Sequence, residues 1–98
     1  MFQAGRHNGG RLLAVRSVRN DLAWSRFAYS IPRRVGGAVV RNRLRRRLRE
    51  ALRSLPLHEG FDVVVVARPE AAAASFHALR TELTLLLRRA RLVDAPPA

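Results

Sequence analysis

Apolar residues recur on alternate sides of the chain from Arg11 to Arg19, with Leu13 and Val15 on one side and Leu12, Ala14 and Val18 on the other, which predicts a strand. Asn20 and Asp21 begin a turn. A second strand is expected from Arg26 to Pro32, where Phe27, Tyr29 and Ile31 alternate with Arg26, Ala28 and Ser30, and the two strands are expected to pair as a hairpin. Past the basic loop Arg33-Arg34-Val35-Gly36-Gly37 the period changes. At about 100° per residue, Val40, Leu44, Leu48, Ala51 and Leu55 fall within an arc of about 80°, so a helix with one narrow buried stripe is expected from Ala38 to about Leu55. Pro56 and Gly60 mark its exit. The run Phe61 to Ala67 is apolar and β-branched without alternation, as for a strand covered on both faces. Ser75 is a candidate N-cap for a last helix with Phe76, Leu79, Leu83, Leu86 and Ala90 on one face and Arg88, Arg89 and Arg91 at its end. Met1 to Gly10 reads as a loop, and Asp94 to Ala98 as a loose tail.

The order strand, strand, helix, strand, helix predicts an α+β fold, a small sandwich of sheet and helices. At 98 residues the chain holds one core, which excludes a two-lobed enzyme; residues 1–93 are expected to form one domain and 94–98 the tail. There is no cysteine, hence no disulfide or thiolate chemistry, and no apolar run approaches a membrane span. A cytoplasmic location is expected.

Charge changes the picture most. The chain has 19 basic residues, all arginine, against 7 acids, a formal charge of +12. Such an excess repels itself unless a polyanion neutralises it. Nine of the arginines lie between Arg33 and Arg53, with Glu50 as the lone acid. Six arginine pairs on the helix stand three or four residues apart, a repulsion of about 1 to 3 kcal/mol in the free protein. A solvated charged face is the usual explanation of a charge run, but such faces mix signs. Phosphates would turn the repulsion into attraction. Gly36 and Gly37 leave backbone N–H groups uncovered at the helix start, where an anion is favoured, and Asn42 adds an amide able to meet a base edge, a sugar or a hydrated metal ion.

Protein-centred catalysis finds no constellation. Asp21, Glu50, Glu59, Asp62, Glu70, Glu82 and Asp94 are scattered, whereas a two-metal nuclease needs converging carboxylates. His7, His58 and His77 show no ligand spacing. Phe27, Tyr29, Phe61 and Phe76 occupy core positions of the pattern. Phe2 does not, and is a candidate for stacking on a single-stranded base.

The run Arg33-Arg34-Val35-Gly36-Gly37-Ala38-Val39-Val40-Arg41-Asn42-Arg43, continuing as a basic helix to Ala51, resembles the signature of the bacterial ribonuclease P protein component. Phe61 to Pro69, ending in Ala-Arg-Pro, and Phe2-Gln3-Ala4-Gly5, similar to the end of the family's first helix, add to the likeness. The resemblance implies a mixed sheet with a left-handed β-α-β crossover through the basic helix. It implies a protein that assists a catalytic RNA subunit, with Mg2+ held mainly by the RNA, in removing the 5′ leader from precursor tRNA. No obligate protein partner is implied. It assigns Arg33, Arg34, Arg41, Asn42, Arg43, Arg45, Arg46 and Arg49 to RNA, and Phe2 and Ser30 to the leader, with no catalytic or metal-binding residue in this chain. The family carries most of a first helix ahead of Phe2, so that helix is expected to be largely missing here. Pro32 stands where serine is common, Val15 where an aromatic can line the leader cleft, and Arg47 where an apolar residue is usual. The alternative is a non-catalytic structural RNA-binding protein of ribosomal type.

Overall fold

Four consecutive valines with pairing partners on both edges belong in the middle of a sheet, and that is where the valine run sits. A computed structural model describes residues 5–94. Its strands are β1 (Arg6–Gly9), β2 (Leu13–Arg19), β3 (Arg26–Ser30) and β4 (Phe61–Ala67), and its helices are α1 (Ala38–Arg53) and α2 (Phe76–Arg89). The sheet order is β1-β2-β4-β3. β4 runs antiparallel to β2, with Val15 opposite Val65, and parallel to β3, with Phe27 opposite Val63. The result is a mixed sheet of α+β class, with α1 carrying the chain between its two parallel strands.

The expected hairpin between β2 and β3 does not form, because β4 inserts between them. Seven residue pairs join β2 to β4 and five join β3 to β4. The connection from Arg19 to Arg26 is tied to the residues entering β4 rather than closing a two-strand turn. Asn20 donates its backbone N–H to the Gly60 carbonyl at 3.0 Å, and its side-chain amide to Asp62 at 3.0 Å and to the Trp24 carbonyl at 3.1 Å. The Ser25 hydroxyl donates to the His58 carbonyl and accepts from the Phe61 N–H. A local turn signal such as Asn20-Asp21 does not reveal which strand its far end will meet.

Part of the segment read as a loop is the edge strand β1, which pairs antiparallel with residues 14–17 of β2. Its sequence Arg-His-Asn-Gly has no apolar alternation to detect, and polar edge residues discourage pairing with other chains. β2 starts at Leu13 rather than Arg11 because the Glu82 carboxylate accepts the backbone N–H groups of Leu12 and Leu13, at 2.7 and 2.6 Å.

One face of the sheet packs on the helices. Leu13, Val15, Val63 and Val65 meet Leu44, Leu48, Ala51 and Leu52 of α1 and Leu79, Leu83, Leu86 and Leu87 of α2, all buried. Each buried leucine or valine among them contributes on the order of 1.5 to 3 kcal/mol. Phe27, Tyr29 and Phe61 pack against this core from its margin, as expected. The expectation that β4 is covered on both faces fails: Val63, Val65 and Ala67 are buried, while Val64 and Val66 are only half-buried on the other side. Phe76 also departs from expectation, 37% exposed at the first position of α2. The core takes Leu92 and Val93 instead.

Ser75 caps α2 as expected, its hydroxyl accepting from the Ala78 N–H at 3.0 Å. At the other end Leu92 N–H reaches the Leu87 carbonyl and Arg91 N–H the Arg88 carbonyl, a Schellman closure. Its left-handed position, usually glycine, is Arg91 at φ +61°. Asp94, the first residue of the expected tail, meets His58 at 2.9 Å; the rest of that tail lies outside the described residues.

Candidate nucleic-acid interface

Helix α1 divides its arginines by position. With Leu44, Leu48, Ala51 and Leu52 facing the core, about 100° per residue places Asn42, Arg45, Arg46 and Arg49 on one flank, within a sector of about 100°. Arg43 falls on the opposite flank with Arg47 and Glu50. Arg45 donates to the Asn42 amide oxygen at 3.1 Å, which orients both side chains along the first flank. That flank lies beside β3. Burial pushes the Tyr29 hydroxyl above its ordinary pKa, and the charge of Arg49 acts in the opposite direction.

The remaining basic residues have separate positions. Arg41 lies half-buried under the start of the helix, its Nε donating to the Gly36 carbonyl at 3.2 Å, so part of its guanidinium is used to hold the preceding loop. Arg47 extends its charged end to the Ala74 carbonyl at 3.3 Å, which lets an arginine occupy a helix position flanking the core. Arg33 and Arg34 are exposed on a single 3-10 turn ahead of α1. Among the described residues the ion pair is Arg26 with Asp62, and His58 hydrogen-bonds Asp94, so no arginine of α1 has an acidic partner.

Both glycines of the loop have a structural meaning. A Cβ on Gly36 would stand 2.8 Å from a Val40 methyl, so the loop can approach α1 this closely only without a side chain. Gly37 is the N-cap of α1; it offers no capping side chain, and a Cβ there would meet nothing within 4 Å. An aspartate at this position caps the helix and occupies its anion-attracting end. Gly37→Asp is therefore expected to raise the folding stability by up to about 1 kcal/mol while weakening the binding of a polyanion. Urea unfolding and titration of the same preparation with a polyanion check the two opposite signs.

The uncovered sheet face forms a groove of about 710 Å³. Ala28, Val64 and Val66 form its apolar floor, with Ser30; Arg6 and Arg16 stand at one side and the Arg26–Asp62 ion pair at the other. Ser30 thus lies in the groove and apart from the α1 flank. Phe2 lies outside the described residues. Sequence reasoning missed Arg16, Arg26, Val64 and Val66. The alternation along β3 places Arg26 with Ser30, but bringing β2 and β4 alongside requires the sheet order.

Asp62 organises the groove's end. Its carboxylate accepts from Arg26 Nε at 2.8 Å, from a second Arg26 nitrogen at 2.7 Å and from Asn20. The hydrogen bonds from Arg26 and then Asn20 lower its pKa from 3.8 to about 2. A carboxyl depressed on folding adds stability that is present above its unfolded pKa and lost as pH falls through the folded one. Between about pH 4 and pH 2 the wild-type protein should therefore lose stability more steeply than Asp62→Asn, as urea midpoints across that range will show. Parallel profiles would remove Asp62 as the cause.

Among the described residues no three His, Asp or Glu side chains stand together to hold a metal ion. The acids therefore do not gather into a site that would hold a divalent cation by protein ligands alone. No described helix is long and apolar enough to cross a membrane.

A groove with an apolar floor on the uncovered sheet face and, apart from it, an arginine flank without acidic partners define a small basic α+β protein suited to a polyanion. The comparisons with known proteins agree. The family model described as Ribonuclease P matches residues 1–91, and the chain belongs to that family. A ribonuclease P protein component from Caldanaerobacter subterraneus is 35% identical over 96% of this chain and 83% of its own length. One from Dehalococcoides mccartyi is 38% identical over 87% of this chain and 71% of its own. The ribonuclease P protein of Thermotoga maritima superposes with a TM-score of 0.80 at 29% identity, covering 88% of this chain and 84% of that one.

Proposed function

We propose that this chain, as a ribonuclease P protein subunit, binds the catalytic RNA through the α1 flank and holds the 5′ leader of precursor tRNA in the groove. The observation that carries the reading is the run of arginines on α1 without an acidic partner, together with a groove on the uncovered sheet face that is apolar below and carries arginines at its sides. Arg45, Arg46, Arg49 and Asn42 contact RNA from one flank. Arg33, Arg34 and Arg41 contact it at the start of the helix, and Arg43 from the other side. Ser30, with Phe2, serves the leader.

Hydrolysis belongs to the RNA in this reading. Mg2+ is held mainly by RNA phosphates, and the arginines reduce the repulsion that opposes folding of the RNA and approach of the substrate. Residues 1–93 act as one RNA-binding domain ahead of a short tail, in the cytoplasm.

Reconstitution tests this. Added to a bacterial ribonuclease P RNA, the purified chain should lower the magnesium concentration needed for leader removal and raise affinity for precursor tRNA. Tight RNA binding with cleavage unchanged would instead indicate a structural RNA-binding protein of ribosomal type.

A further inference from the structure

A second group of arginines lies away from α1. Where β1, β2 and the end of α2 meet, Arg6, Arg19 and Arg91 line a concavity of about 530 Å³ together with Ser17, Val18, Phe61 and Ala90; Arg6 and Ser17 also border the groove, whereas Arg19 and Arg91 belong to this concavity alone. No acidic residue lines it, and among the described residues none of the three arginines takes part in an ion pair. Arg19 is held in place by lying over the Phe61 ring, 5.6 Å from its centre.

Helix electrostatics account for only part of this charge. The C-terminus of α2 carries about half a negative charge, which favours arginine there, but Arg88, Arg89 and Arg91 together bring three positive charges to it. Arg91 also occupies a left-handed position, φ +61°, that glycine would adopt without strain. An arginine retained there presents a guanidinium to the concavity at the expense of the backbone.

From these observations we infer that Arg6, Arg19 and Arg91 form a second phosphate-binding site, which takes a backbone phosphodiester of an RNA segment different from the one held by α1. The site lies at the β1–β2 side of the sheet, whereas Arg49 lies beside β3 at the opposite edge. Strand spacing alone separates β1 from β3 by about 14 Å. Two basic sites at that separation engage two stretches of a folded RNA and fix its orientation on the protein. The inference rests on the RNA-binding reading above.

Its test is a set of variants titrated with a ribonuclease P RNA transcript at several salt concentrations. The first is Arg6→Gln, Arg19→Gln and Arg91→Gly combined. The second is Arg91→Gly alone, which fits the backbone and guards against a folding defect. A charge-matched control carries Arg11→Gln, Arg88→Gln and Arg89→Gln. One lost phosphate contact should lower the salt slope by about 0.7 to 0.9 and the affinity about fivefold at 0.15 M salt in the first variant, with a smaller loss for Arg91→Gly and none for the control. If the first variant binds as wild type, or if the control loses as much, the site is refuted. In a parallel measurement the Nε–H resonances of Arg19 and Arg91 should move on adding RNA. Movement with inorganic phosphate but not with RNA would overturn the assignment to an RNA backbone. Loss of RNA binding on replacing Arg45, Arg46 and Arg49, with none at this site, rejects the second site alone. No effect at either place rejects the RNA-binding reading itself.

Discussion

Replacing Arg45, Arg46 and Arg49 together with alanine is expected to lower RNA affinity about a hundredfold at 0.15 M salt and to reduce the salt slope by about 2 to 3. The magnitude follows from three phosphate contacts, each worth about 0.7 to 0.9 in the slope. The same change should make the free protein more stable. Five of the six like-charge pairs on α1 involve these residues, and at about 0.2 to 0.5 kcal/mol each their removal relieves roughly 1 to 2.5 kcal/mol of repulsion. Weaker binding by a protein that melts higher is a combination a folding defect cannot produce. Salt-dependent titration and thermal melting of one preparation measure both. An unchanged slope would return the flank to an ordinary solvated surface.

The second large effect is on stability and comes from Glu82. One carboxylate oxygen accepts two consecutive backbone N–H groups, those of Leu12 and Leu13, and so fastens the start of β2 to α2. Gly10 is part of the arrangement, since a Cβ there would stand 2.7 Å from the carboxylate. Removing the acceptor leaves two N–H groups of a half-buried turn without it. Hydrogen bonds to a charged group contribute about 1.5 to 3 kcal/mol each. Glu82→Ala should therefore cost about 3 kcal/mol, a fall in Tm on the order of 10 to 20 °C for a domain of this size. Glu82→Gln keeps a neutral acceptor and should recover part of that loss. Faster hydrogen exchange at the Leu12 and Leu13 amides would locate the effect, and a Tm within about 2 °C of wild type would rule it out. β1 and β2 also border the groove, so the same substitution should loosen one of its walls.

Much of the fold can be read locally. The spacing of Leu44, Leu48 and Ala51 places α1, and the spacing of Leu79, Leu83 and Leu86 with the Ser75 cap places α2, because an amphipathic helix carries its own period. The valine run announces a strand for a similar reason. β1 shows no such signal, since a short polar edge strand is defined by its partner. Phe76 follows the helical period and still remains partly exposed, because it stands at the first turn of α2, where the core ends.

The interface divides along the same line. A cluster of arginines opened by Arg41-Asn42-Arg43 is a property of neighbouring residues, and the sequence by itself determined that this protein concentrates its charge on one helix. Only the tertiary structure decided which arginines are drawn back onto the protein: Arg41 to the Gly36 carbonyl and Arg47 to that of Ala74. It decided the groove as well. Arg16, Arg26 and Val64 come from three strands, and their meeting depends on β4 entering between β2 and β3. Helical periodicity and charge are written in residues a few positions apart. Strand order is set by pairing across as many as 54 positions, as between Leu13 and Ala67, where the nearby residues carry no record of the partner.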